Sequence, residues 1–198
     1  MVDRSAVDKN SINPKIIEIH LFEKAAKSST FDSLTGLLNR NAFDDAMQRE
    51  VSRAKRYDSN LSLLFLDLDD FKQINDLYGH EIGDQLLCIA AQRLQRSLRS
   101  CDIIGRPGGD EFVALVPDVD GDIAGNLASR LTKSLEEHYV VGDETLKCAA
   151  SIGLALYPEN ASTLTGLLRE ADQAMYRAKA RCRGVTDTRG NDLLEKAI

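Results

Sequence analysis

No run in the 198-residue sequence is both apolar and long enough to cross a bilayer. The longest apolar run, around "LSLLFL" (Leu61 to Leu66), falls far short of the roughly 20 residues a spanning helix needs. The amino-terminal "MVDRSAVDKN" lacks the apolar core of a secretory signal. The four cysteines, Cys88, Cys101, Cys148 and Cys182, form no CxxC pair and lie far apart. That spread argues against a disulfide framework and favours a reducing, cytoplasmic setting. A basic excess is missing too: the formal net charge is −6, so no nucleic-acid polymer is expected as a partner. An anionic small molecule would need a local cationic site, from a metal or from clustered Lys and Arg. Internal repeats and low-complexity segments are also absent.

What is present is ordinary for a globular chain, with 43% hydrophobic and 28% charged residues. The length fits one domain with some extra chain. Residues 1 to about 13 are polar and aperiodic, and are expected to be disordered. Pro14 then opens a segment in which Ile16, Ile17, Leu21 and Phe22 recur at helical spacing. Such a helix either packs back on its own domain or forms a stalk that pairs with a second chain. Residues 1–30 are therefore set apart from a domain at 31–198.

Within that domain "TFDSLTGLLNR" reads as a loop leading into a helix from Arg40 to Tyr57. Asn60 to Asp70 reads as a strand, and Asp70 to Arg99 as helix broken near Gly79 and Gly83. "CDIIGR" and "EFVALV" make a hairpin joined by "PGG". A helix in "DIAGNLASRLTKSLEEH", an apolar strand in "CAASIGLALY" and a last helix in "TLTGLLREADQAMYRAKARC" follow. The order implies an α+β sandwich: a central, mostly antiparallel sheet with helices packed on it.

The polar residues concentrate at strand ends. Side chains alternate along a strand, so Asp67 and Asp69 are expected on one face with Leu63 and Phe65. An acid at the end of an apolar strand is costly unless solvated, paired or bound to a metal. The hairpin brings Asp110 and Glu111 to the mouth of the sheet. If it lies beside the first strand, Asp67 and Asp110 converge. Two carboxylates with a backbone carbonyl make a hard oxygen site suited to Mg²⁺ and phosphate oxygens. Gly108 and Gly109 permit positive φ and leave the backbone bare for a phosphate or a base.

"GGDEF", Gly108 to Phe112, resembles the signature of the GGDEF domain family, the diguanylate cyclases. The resemblance runs from about Asp32 to Gly184. "DSLTGLLNR" (Asp32 to Arg40), "DLDDFKQINDLYGHEIGD" (Asp67 to Asp84) and "ADQAMYRAKARCR" (Ala171 to Arg183) resemble further family motifs. One short motif is weak evidence, whereas four in the right order are specific. The resemblance implies a fold similar to class III nucleotide cyclases and the polymerase palm. It also implies condensation of two GTP into cyclic di-GMP and pyrophosphate, with one GTP per domain and a homodimer as the working unit.

By the same resemblance Asp67, the Leu68 carbonyl and Asp110 bind Mg²⁺, or Mn²⁺ in its place. Glu111 is a further acid at the metals that helps deprotonate the attacking ribose hydroxyl. Asn75 and Asp84 match guanine-reading positions. A carboxylate accepts both adjacent guanine N–H donors, and adenine offers no such pair, a difference worth roughly 10⁴-fold in selectivity. Lys179 and Arg183, one helical turn apart, hold the triphosphate together with backbone N–H groups near Phe71 and Lys72. "RSCD", Arg99 to Asp102, matches the family's inhibitory product site, and Arg130 is a candidate for a cross-domain contact there. The chain departs from the family pattern at Pro107 and across Cys182 to Gly184. Two other readings use the same residues: a silent receptor that binds cyclic di-GMP through Arg99 and Asp102, and a module that binds GTP without cyclization.

Overall fold

The computed structural model describes residues 30–182. The expected stalk lies outside them except for Thr30, and so do Arg183 and Gly184.

Helix α1 spans Arg40–Tyr57, as its pattern requires. The Asn39 side chain caps it by accepting the Ala42 N–H at 3.0 Å. Asp58, at φ 50, ends it in the left-handed region. Phe43, Met47, Val51 and Ala54 recur every three or four residues and are buried. Strand β1 (Leu61–Leu68) follows, then α2 (Phe71–Tyr78) and α3 (His80–Ser97). The hairpin β2 (Ile103–Gly108) and β3 (Glu111–Pro117) leads into α4 (Gly121–Glu136). After β4 (Tyr139–Val141) and β5 (Glu144–Leu146) come β6 (Ala150–Tyr157) and α5 (Leu164–Cys182).

The main sheet has the order β2-β3-β1-β6, and every neighbouring pair is antiparallel. Its two faces are both covered, which explains why β1 reads as apolar almost throughout. One face carries Leu64, Leu66, Phe112, Ala114 and Ile152, packed with Leu86 and Leu94 of α3 and Leu131 of α4. The other carries Leu61, Leu63, Val113, Leu115 and Ala155, packed with Phe43 and Met47 of α1 and Leu167 and Ala171 of α5. Burying such side chains contributes roughly 1.5–3 kcal/mol each. Among the described residues no helix is long and apolar enough to cross a membrane.

The α+β architecture matches the sequence expectation, with three local differences. The helical stretch after β1 breaks at Gly79 but not at Gly83, which lies buried inside α3. Its lack of a side chain serves packing: the Asn75 Oδ1 sits 1.9 Å from where a Cβ at Gly83 would be. Strand β1 ends at Leu68, short of the expected Asp70, so Asp69 lies in the turn beyond, where its carboxylate still meets Ser151, the cross-strand neighbour of Asp67. A small two-stranded sheet, β4 with β5, is additional. Arg93 anchors its base by stacking 4.1 Å over the Tyr139 ring. The same guanidinium donates to the carbonyls of Ser134, Glu137 and His138 at 3.1, 2.8 and 2.6 Å.

Candidate active site

Antiparallel pairing of β1 with β3 sets Asp67 directly opposite Glu111. Residues opposed in this way point to the same face. The Leu68 N–H donates to the Asp110 carbonyl at 3.2 Å, so the hairpin turn lies against the end of β1. Asp67 at the end of β1 and Asp110 in the turn before β3, 43 positions apart in sequence, are thus brought to one end of the sheet. Burial, and then the Asp67 charge, push the Asp110 carboxyl above its ordinary value. Glu111 is raised by the same two causes, while Arg40 opposes the shift. This concentration of partly desolvated negative charge favours a cation. The donor set is oxygen only, which fits Mg²⁺ in kind.

The Lys179 ammonium of α5 reaches this end of the sheet and donates to Asp67 Oδ1. The expected triphosphate lysine therefore stands at the acids. Three like charges repel one another, and Lys179 draws Asp67 toward α5. Among the described residues no three acid, His or Cys side chains are gathered around one point as a metal would hold them.

The turn itself is open. Gly109 has φ 56, a left-handed conformation that glycine adopts without steric cost. A Cβ at Gly108 or Gly109 would meet no protein atom within 4 Å, so the space beside both is free. Arg106 fixes the turn from behind. Its Nε and Nη2 donate to the Gly109 carbonyl at 3.0 and 2.6 Å, and its Nη1 donates to Asp32 Oδ1 at 2.9 Å. Burial raises the Asp32 carboxyl, but bonds from Thr35 and from Arg106 outweigh burial and hold it below the ordinary carboxylate value. Neither Arg106 nor Asp32 stood out in the sequence as a functional pair. The available sign was an arginine in an otherwise apolar hairpin arm.

The remaining residues fall in two places. Phe71 and Lys72 open α2, whose N-cap Asp70 makes no side-chain capping bond, although its carbonyl accepts the Gln73 N–H at 2.8 Å. Asn75 lies on α2, and among the described residues its buried Oδ1 has no partner. Asp84 is exposed on the adjoining α3. The α2–α3 pair thus carries both expected base-reading side chains next to the acid end of β1.

The expected inhibitory residues are elsewhere, beyond the end of α3. Asp102 Oδ2 accepts the Arg99 N–H at 2.7 Å, and the Asp102 N–H donates to the Arg99 carbonyl at 3.1 Å. Arg130 Nη2 donates to the Ser97 carbonyl at 2.7 Å, which places it beside this loop within the same domain. The Arg99 residue is exposed.

Residues 29–184 match the family described as the diguanylate cyclase GGDEF domain. The chain is 43% identical over 148 residues to MucR of Pseudomonas aeruginosa, a bifunctional diguanylate cyclase and cyclic di-GMP phosphodiesterase. That match covers 75% of this chain and 22% of MucR. It is 41% identical over 161 residues to the diguanylate cyclase TpbB of the same species, covering 80% of this chain and 37% of TpbB. The solved GGDEF domain of TpbB superposes with a TM-score of 0.74 at 40% identity, over 76% of this chain and 89% of that one. The coiled coil and GGDEF domain of Caulobacter crescentus DgcB, solved with cyclic di-GMP, gives 0.74 at 27% identity, over 86% and 88%. The chain spans well under half the length of these curated relatives.

Proposed function

Since the chain belongs to the GGDEF domain family of diguanylate cyclases, we propose that it condenses two GTP molecules into cyclic di-GMP, releasing two pyrophosphates. The observation that carries this reading is the cross-strand placement of Asp67 against Glu111, with Asp110 bonded through its carbonyl to Leu68. Each domain of a homodimer holds one GTP. Asp67, Asp110 and the Leu68 carbonyl hold Mg²⁺, which supplies charge neutralisation at the transferring phosphoryl group. Lys179 and the N–H groups of Phe71 and Lys72 hold the triphosphate, with Arg183 as a further cation. Asn75 and Asp84 accept from the guanine edge. Glu111, opposite Asp67 across the β1–β3 ladder, takes the proton of the attacking ribose hydroxyl.

Incubation of the chain with GTP and Mg²⁺, followed by chromatography, tests the reading directly. Cyclic di-GMP is the expected product. A folded dimer that binds cyclic di-GMP yet never makes it would instead support the receptor reading.

The proposal extends to regulation and to base recognition. Cyclic di-GMP binds at Arg99 and Asp102 and restrains the enzyme, with Arg130 adjoining. Arg99→Ala is expected to raise the product concentration needed for half inhibition by more than about tenfold, because a bidentate charged contact is lost. An inhibition curve that does not move removes Arg99 from this role. Gly83→Ala tests the base pocket. The new methyl displaces the Asn75 amide, and GTP affinity measured by calorimetry is expected to fall about tenfold.

A further inference from the structure

Asp69 is the acid of the "DLDD" run that the reading above leaves without a task. It lies in the turn after β1, and one short stretch before and within β6 binds all three of its polar groups. Its N–H donates to the Ala149 carbonyl at 2.9 Å. Its carbonyl accepts the Cys148 thiol at 3.5 Å. Its carboxylate accepts the Ser151 hydroxyl, with the two oxygens at 2.9 and 3.1 Å. Ser151 is 2% exposed and stands opposite Asp67 in the β1–β6 ladder.

These bonds govern what comes next in the chain. Asp70 has φ 55, in the left-handed region that Asp tolerates better than most side-chain-bearing residues, and the bonds to Asp69 hold the chain as it enters that turn. That turn carries the backbone from Leu68 into α2, whose first turn has no side-chain cap. The Leu68 carbonyl precedes the turn and the N–H groups of Phe71 and Lys72 follow it. We infer that Ser151, together with the Cys148–Ala149 segment, clamps Asp69 and thereby positions the β1–α2 turn for metal and triphosphate. Ser151 is a positioning residue: it touches Asp69 and not the nucleotide. The inference rests on the reading that this turn faces the triphosphate.

The test uses the full chain and two measurements. One is calorimetric affinity for a non-hydrolysable GTP analogue with Mg²⁺. The other is the Mg²⁺ concentration giving half-maximal cyclic di-GMP formation. Ser151→Ala is expected to weaken analogue binding about tenfold and to raise the Mg²⁺ requirement several-fold, as for loss of one bond to a charged group. Its cyclic di-GMP affinity at Arg99 and Asp102 should stay at the wild-type value, which a general loosening of the fold would not preserve. Asp69→Asn keeps an acceptor for the Ser151 hydroxyl and is expected to recover most of the binding that Asp69→Ala loses.

Analogue affinity and Mg²⁺ requirement within about twofold of wild type in Ser151→Ala overturn the clamp. An Asp69→Asn variant as weak as Asp69→Ala overturns it as well, because charge and not hydrogen bonding then matters. If the wild type binds the analogue but makes no product, the cyclase reading fails while the binding measurements still decide the clamp. A wild type that binds no analogue overturns both.

Discussion

Asp67→Ala is expected to lower cyclic di-GMP formation by roughly 10³-fold or more, the cost of removing several kcal/mol of charge stabilisation from a phosphoryl transfer. Its thermal midpoint is expected to stay within about 4 °C of wild type, since ~1 kcal/mol moves a domain of this size by a few degrees. The two results part company because the carboxylate has opposed effects on folding. It pairs with Lys179, which stabilises the fold. It also stands close enough to Asp110 and Glu111 to raise both carboxyls, which destabilises their ionised forms. Removing Asp67 ends the attraction and the repulsion together. For catalysis there is no such cancellation, because the lost oxygen is a metal ligand in the proposed site. Product chromatography beside a thermal scan checks both halves. A variant that keeps a tenth of the wild-type rate would place the chemistry elsewhere.

Gly153→Ala is expected to destabilise the fold by about 3 kcal/mol, at the upper end for a single added methyl in a packed core. Gly153 lies in β6, opposite Phe65 of β1, where α5 crosses the sheet. A Cβ there would stand 2.0 Å from the Ala171 carbonyl oxygen, 2.2 Å from the Met175 nitrogen and 2.8 Å from the Met175 Cα. All three atoms are backbone, so no side-chain rotation relieves the clash and α5 has to lift. Leu167, Ala171 and Met175 would lose their close seat on the sheet, although all three are buried in the native packing. Lys179 rides on the same helix, so activity is expected to fall along with stability. Urea unfolding gives the measurement, and a midpoint equal to wild type would refute this account of how α5 is seated.

Regular periodicity made much of this fold legible. Helix α1 begins and ends at the residues its buried stripe and Asn39 cap indicate, and the β2–β3 hairpin follows from two apolar runs around glycines. The three-residue strands β4 and β5 escaped notice because so short an alternation is indistinguishable from loop. The poor helix propensity of glycine suggests a break at Gly83, but the helix runs through it and the close approach of Asn75 is what leaves no room for a side chain there.

The candidate site divides in the same way. Its acids were visible as polar residues at the ends of apolar strands. Nothing local announces that β1 stops at Leu68 and that Asp70 takes a positive φ, although Asp69 keeps the side that alternation assigns it, bonded to Ser151 opposite Asp67. The pairing of Arg106 with Asp32 depends on a contact between residues 74 positions apart, which spacing alone does not encode.

That pairing has a mechanical consequence. The guanidinium makes three bonds, two to the Gly109 carbonyl and one to Asp32, from a side chain only 10% exposed. Bonds of this charged, forked kind are stiff in direction as well as strong. The segment ahead of α1 and the glycine turn are therefore strutted together. A tug on Asp32 cannot be absorbed by slack between them; it either carries the turn along or breaks the strut.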